Sequence, residues 1–260
     1  MVKDLIGLNL VDLILALGLM AIAISLSAWE RLGLEWSLAI ATGRTVLQLL
    51  VVGYILAFIF ALDNPWAVLT VLAVMLTIAA VVVRNRISKK YPTLLPLVWG
   101  SLLLSAALTL SYTNLLIIHP QTWYEPQYLI PLAAIVLGSA MNAAMIAGER
   151  LVTTINASHM EIETHLSLGA TPQQAVVQYR KDAIRAGLIP TINQMMVVGI
   201  VTLPEITTGE LLSGVNPLDA ISYQILIIFM LAFANLVTTL TVTKGLCRQF
   251  FNQAAQLKIR

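Results

Sequence analysis

Residues 161–190 read "EIETHLSLGATPQQAVVQYRKDAIRAGLIP", the longest polar stretch in a chain that is otherwise mostly aliphatic. Just before it, Ser158-His159-Met160-Glu161 fits a capping box, in which a Ser hydroxyl and a Glu carboxylate each satisfy an exposed backbone N–H at a helix start. Gly169 supplies the left-handed residue that closes such a helix. Thr171-Pro172-Gln173-Gln174 is a second box, with Pro at the first helical position, where its missing N–H costs nothing. Gly187 marks the next stop. Between these signals Val176, Tyr179, Ala183 and Ile184 share one helical face, while Gln178, Arg180, Lys181 and Asp182 lie elsewhere. The stretch therefore predicts two short capped helices, the second amphipathic, suited to lie on lipid headgroups or to receive a partner protein.

The surroundings decide the class of fold. Of 260 residues, 58% are hydrophobic and 11% charged, against about 45–50% and 25% in a soluble domain. An all-α polytopic membrane protein follows. Apolar runs near the ~20 residues that cross a hydrocarbon core lie at 8–28, 38–61, 66–83, 94–118, 129–147, 188–203 and 220–242, which gives about seven spans. Lys3 followed by an apolar run imitates a signal peptide, but the run lacks a small-residue cleavage site and reads as a retained first span. The single cysteine, Cys247, excludes an internal disulfide.

Basic residues set the orientation, because cytoplasmic loops carry an excess of Lys and Arg. Arg84, Arg86, Lys89 and Lys90 fall between the third and fourth spans. Arg150, Arg180, Lys181 and Arg185 fall between the fifth and sixth, and Lys244, Arg248, Lys258 and Arg260 in the tail. The opposite connections carry Asp63, Glu125, Glu205, Glu210 and Asp219 and no basic residue. The expected topology is N-terminus out and C-terminus in, with one domain over 1–260 whose largest polar piece is a cytoplasmic loop at about 148–189.

Glu163, Leu168-Gly169-Ala170 and Pro172 stand as E-x(4)-L-G-A-x-P, which resembles the cytoplasmic coupling loop of ABC transporter permeases. Together with "GSAMNAAMIAGERL" (138–151), "AIRAGLIPTINQMMVVGIVTLP" (183–204) and "TTGELLSGVNPLDAISYQ" (207–224), this loop resembles the FetB-type permease family. Bacterial members of that family are linked to iron export and plant relatives to aluminium tolerance. Membership implies a multi-pass protein of the cell inner membrane that exports iron or another metal ion. It also implies that Glu161, Glu163, Leu168, Gly169, Ala170 and Pro172 seat against a cytoplasmic ATPase. Two permease copies related by a two-fold axis are implied as well.

Hydrolysis of ATP needs a phosphate cradle such as G-x-x-x-x-G-K-[ST], and no Gly-Lys pair occurs in the chain. No cofactor is expected on this chain; ATP and magnesium belong to the partner subunit. Neither H-E-x-x-H nor G-x-S-x-G is present, so no catalytic residue is assigned, and membrane lipid rather than nucleic acid is the other expected neighbour. Alternatives are an ABC permease for a nucleotide sugar or other small solute, an ATPase-independent secondary transporter, and a membrane regulator recruiting a partner through the same loop.

Polar residues within spans are expensive and mark candidate paths. Arg44 and Gln48 lie four apart on one face of the second span; snorkelling of the Arg and helix packing by the Gln compete with a role in transport. Asn142, Asn193 and Gln194 likewise suit either packing or a cargo path. The sixth span, bracketed by Pro190 and Pro204, suggests a broken or re-entrant helix of the kind found at transport sites. For a metal cargo the candidate ligands are Met195 and Met196, soft donors that also suit core filling, and Glu205 and Glu210, hard donors that also suit a solvated loop.

Overall fold

The computed structural model describes residues 9–62, 64–88, 93–120, 122–252 and 256–257, excluding the side chains of Leu10 and Glu205. Lys3, Asp63, Lys89, Lys90, Lys258 and Arg260 therefore lie outside the described residues. Helices dominate: α1 (Leu10–Trp29), α2 (Glu35–Leu62), α3 (Pro65–Ile87), α4 (Leu94–Thr113), α5 (Pro126–Ala157), α6 (His159–Ser167), α7 (Pro172–Val197), α8 (Glu205–Leu212) and α9 (Pro217–Gln249). A π-helical turn, Asn114–Ile118, continues α4. It ends where His119 turns left-handed, at φ 49°.

Local chemistry explains several starts. Asn64-Pro65, Thr171-Pro172 and Asn216-Pro217 each place a capping side chain before a proline whose missing N–H is not needed in the first turn. Asn64 Oδ1 accepts from the Trp66 N–H at 2.9 Å, and Asn216 Oδ1 from the Leu218 N–H at 3.0 Å. Thr171 Oγ1 accepts from the Gln174 N–H at 3.3 Å while Gln174 Oε1 accepts from the Thr171 N–H at 2.9 Å, closing the second expected box.

Six helices among the described residues are long and apolar enough to cross a membrane: α1, α2, α3, α4 with its π turn, α5 and α9. The fold is an all-α polytopic membrane protein. The expected fourth span at 94–118 coincides with α4 and its extension. The fifth and seventh runs lengthen at both ends into α5 and α9.

At 188–203 the expected break is present, but the expected span starting at 188 is not. No single spanning helix occupies it: α7 continues through Gly187 and Pro190 to Val197. The chain then turns tightly, with Gly199 at φ 78° and its N–H donating to the Thr202 carbonyl at 2.9 Å, before α8 begins after Pro204. Nor does the stop expected at Gly187 occur. Ending a helix inside an apolar bundle would strand backbone N–H and C=O groups, which hydrocarbon cannot satisfy. Gly187 answers to packing instead: a Cβ there would stand 2.8 Å from the Ala143 carbonyl oxygen and 3.0 Å from Ala147 Cβ on α5, and 2.9 Å from Thr239 Cγ2 on α9.

Small residues set the centre of the bundle. Ala133, Ala140, Ala143, Ala144 and Ala147 of α5, Ala183 of α7 and Ala234 of α9 are buried, allowing backbones to approach where lipid offers no hydrophobic drive to associate. Ser105 of α4 donates across to the Ala234 carbonyl at 2.8 Å. Within α9, Thr239 and Thr243 turn their hydroxyls back to the Asn235 and Thr239 carbonyls at 2.8 and 2.7 Å, so neither polar side chain is left unpaired. Helices α3, α4, α7 and α9 surround α5, whereas α1 packs on α2 and α2 alone of that pair touches α3 and α5.

Segment α7-turn-α8 runs antiparallel to α9. Arg180 Nη2 donates to the Leu240 carbonyl at 3.2 Å, Thr191 meets Asn235, and Thr207 Oγ1 donates to Gln224 Oε1 at 2.7 Å. A path that is helix, turn and helix thus accompanies most of α9.

Candidate functional site: a capped elbow joined to a polar pocket

Chain direction reverses at the end of α5. Ser158 sits between α5 and α6 at φ −100° and ψ 23°, and its side chain does not cap α6. The first expected capping box is therefore absent, because α6 follows α5 almost without a break and the Ile162 N–H donates to the Ser158 backbone carbonyl instead. Ser158 and Glu161 both lie beside the Tyr179 hydroxyl of α7. Burial, and then the hydrogen bond to the Glu161 carboxylate, push the Tyr179 hydroxyl above its usual range; the contact from Ser158 acts in the opposite direction. Tyr179, placed on the apolar face by sequence, packs partly buried against the core at the elbow.

Helix α6 ends as expected. Gly169 adopts φ 91°. The Gly169 N–H donates to the Leu166 carbonyl at 3.0 Å and the Ala170 N–H to the His165 carbonyl at 3.1 Å, the paired bonds of a Schellman motif. Three residues later the Thr171 box starts α7. Glu163 faces His159 on the same helix at 3.6 Å. Leu168 is 82% exposed and Met160 78%, two large apolar side chains left uncovered by the described residues. Ile162, by contrast, is buried and anchors α6 to the core.

Basic residues gather at this end of the bundle. Arg86 of α3 meets Glu149 of α5 at 3.2 Å. Arg180 of α7 reaches Thr243 Oγ1 of α9 at 3.3 Å. Pro172, Val176, Arg180, Lys244, Arg248 and Phe251 line a groove of about 450 Å³ there.

Further along α7 lies a second cavity, of about 150 Å³, bounded by α5, α7 and α9 and lined by Ser139, Asn142, Thr191, Gln194 and Asn235 together with Gly187 and Pro190. Asn235 is 1% exposed. Its amide donates to Thr191 Oγ1 at 2.6 Å and to Ser139 Oγ at 2.9 Å, while its Oδ1 has no hydrogen-bond partner among the described residues. Asn142 and Gln194 are exposed at the mouth.

Of the candidate path residues, Asn142 and Gln194 are thus brought together, and Asn193 lies exposed beside them on α7. Arg44 and Gln48 are exposed on α2, apart from the pocket. Met195 and Met196 are 38% and 70% exposed near the end of α7, and Glu210 lies on α8 beyond the turn. No group of three or more His, Cys, Asp or Glu forms among the described residues. Sequence reading missed Asn235, Thr191 and Ser139 as pocket residues. An Asn inside an otherwise Leu, Val and Thr-rich run was the available signal.

The sequence signature of the family described as "Uncharacterised protein family (UPF0014)" matches residues 10–251. A cyanobacterial relative, the UPF0014 membrane protein slr1647 of Synechocystis sp., is 54% identical over 98% of both chains. The probable iron export permease protein FetB of Escherichia coli is 34% identical over 95% of this chain and 94% of its own. The protein ALUMINUM SENSITIVE 3 of Arabidopsis thaliana is 32% identical over 94% of this chain and 88% of its own. No solved structure matches. The chain belongs to the UPF0014 family of membrane proteins.

Proposed function

We propose that this chain is the membrane-spanning half of an ABC exporter in the cell inner membrane, moving iron or another metal ion with ATP and magnesium held by a separate cytoplasmic subunit. The elbow carries this reading. A docking element that transmits force must be rigid and continuous with what it moves, and α6 is joined to α7 through the Schellman closure and the Thr171 box. Helix α7 then runs unbroken from the elbow past the pocket, roughly 39 Å for its 26 residues. Displacing its polar end shifts Thr191 and Gln194 against α5 and α9 as a rigid-body movement.

Leu168 and Met160 supply the apolar contact and Glu163 the polar edge for an ATPase groove. The cluster of Arg84, Arg86, Arg150, Arg180, Lys244 and Arg248 near the elbow supports a cytoplasmic position for that end of the bundle under the positive-inside rule, with the N-terminus outside. Two ATPase subunits call for two copies of this chain about a two-fold axis. The name of the Escherichia coli relative supports iron as cargo.

Co-expression with a candidate ATPase tests the docking. The wild-type chain should co-purify with the ATPase and stimulate its hydrolysis, and Leu168→Glu should abolish both while the purified chain stays folded. An ATPase that binds the Leu168→Glu chain as well as the wild type would exclude the elbow as its seat.

A further inference from the structure

We propose that the pocket between α5, α7 and α9 takes a divalent cation together with part of its water shell, held through that water by the neutral oxygens of Asn235, Thr191, Ser139, Asn142 and Gln194. The inference rests on the permease reading for its role in transport, and on the pocket alone for binding.

Asn235 is the decisive residue. It sits near the middle of α9, opposite Asn142 near the middle of α5, and is 1% exposed. Both N–H bonds of its amide are spent on Ser139 and Thr191, which fixes the side chain in the wall of the cavity and leaves Oδ1 buried without a donor among the described residues. Buried acceptors are normally paired, and an orphan in a polar cavity calls for a ligand that donates hydrogen bonds. Each of the other four side chains also offers an oxygen. Water bound to a cation turns its hydrogens outward, so such a ring of acceptors complements a hydrated ion.

Charge and size exclude a naked ion. No Asp, Glu, Lys or Arg lines the cavity, and neutral dipoles alone do not repay stripping a divalent cation of its water. Small hard cations surrender that water reluctantly and are commonly held with several waters in place. The cavity of about 150 Å³ has space for about five waters at ~30 Å³ each, so part of a hydrated ion's shell fits inside while the rest stays in contact with water at the mouth. Exposed Asn142 and Gln194 mark the way in: amides are costly against hydrocarbon, so this mouth faces water or a second copy. Met195, Met196 and Glu210 do not line the cavity. Cargo is therefore recognised here by its hydration and not by soft or acidic ligands.

Manganese(II), a paramagnetic hard divalent ion, is the probe. The full-length chain in phosphatidylcholine nanodiscs, without any ATPase, is titrated with manganese(II) and followed by electron paramagnetic resonance, with proton hyperfine couplings reporting bound water. One saturable site per chain is expected, retaining water protons, weakened at least tenfold by Asn235→Leu. Gln194→Leu, at the exposed mouth where folding is not at stake, should weaken it in the same direction. Binding unchanged in both variants, binding without coupled water protons, or no saturable site overturns the proposal. Iron(II) transport by vesicles containing the ATPase is scored separately. If manganese binding follows the prediction but no ATP-driven transport occurs, the permease reading fails and the pocket stands; ATP-driven transport untouched by Asn235→Leu removes the pocket from the path.

Discussion

Gly187 of α7 passes so close to Ala143 of α5 that a Cβ would lie 2.8 Å from the Ala143 carbonyl oxygen. This is backbone against backbone, which cannot yield as a flexible side chain can. Gly187→Ala should therefore lower stability by about 1–3 kcal/mol, the usual cost of overpacking. Gly138→Ala on α5, where a new Cβ meets nothing within 4 Å, should be neutral or slightly stabilising, since Ala favours helix. Thermal unfolding of the two variants in detergent checks the contrast; equal midpoints would show that the α5–α7 crossing is looser than described.

Gly169 holds φ 91° between α6 and α7. A β-branched residue there is strained, at a cost of order 1–3 kcal/mol. Gly169→Val should open the elbow to limited proteolysis and weaken ATPase recruitment, whereas Gly169→Asn, which tolerates the left-handed region, should do much less harm. Indistinguishable Val and Asn variants would mean that backbone conformation is not what the position requires.

Met160 and Leu168 project from the elbow with no cover of their own. Met160→Ser combined with Leu168→Ser should leave thermal stability within about 0.5 kcal/mol of the wild type, as surface substitutions do. ATPase affinity should fall at least tenfold, read by co-purification at graded protein concentration. A large stability loss would instead place these side chains in the packed interior of the assembled protein.

Tyr179 offers a pH test with a defined sign. Burial and the Glu161 hydrogen bond raise its folded-state pKa above the usual 10.0, so the neutral phenol is the form that holds the elbow. Its contribution is complete below the unfolded-state value and is lost as pH rises through the raised value, an alkaline window. Hydrogen exchange at α6 in the wild-type chain should be insensitive to this group near neutrality and rise only above pH 10, and Tyr179→Phe should show the faster exchange near neutrality, with the difference disappearing in the alkaline window. Matching exchange in the two proteins at neutral pH would remove the hydroxyl from the elbow.

Hydropathy made the spans legible because burial in lipid acts on twenty residues at once, and the run at 94–118 was recovered to the residue in α4 and its π turn. Gly169 and the Thr171 box were legible because their chemistry is local: each acts on N–H groups within three or four residues. Gly187, Pro190 and Ser158 were misread for the complementary reason. Glycine and proline carry breaking signals in water, but inside the bundle the cost of unpaired backbone groups keeps α7 helical, and contacts from α5 and α9 decide the role of Gly187. Ser158 was read as a cap, whereas α6 follows α5 so closely that the Ile162 N–H bonds the Ser158 backbone carbonyl and no side-chain cap forms. The pocket stayed hidden because Ser139, Thr191 and Asn235 come from three helices, and no spacing within one helix announces their convergence.

Transport itself tests the account most directly. Inverted membrane vesicles containing this chain and its candidate ATPase are loaded with ATP and magnesium outside, and accumulation of iron(II) is followed against vesicles carrying a hydrolysis-dead ATPase. The account predicts uptake that requires both subunits and disappears with the dead ATPase. Iron(II) accumulation that persists without ATP hydrolysis, or without this chain, would contradict it.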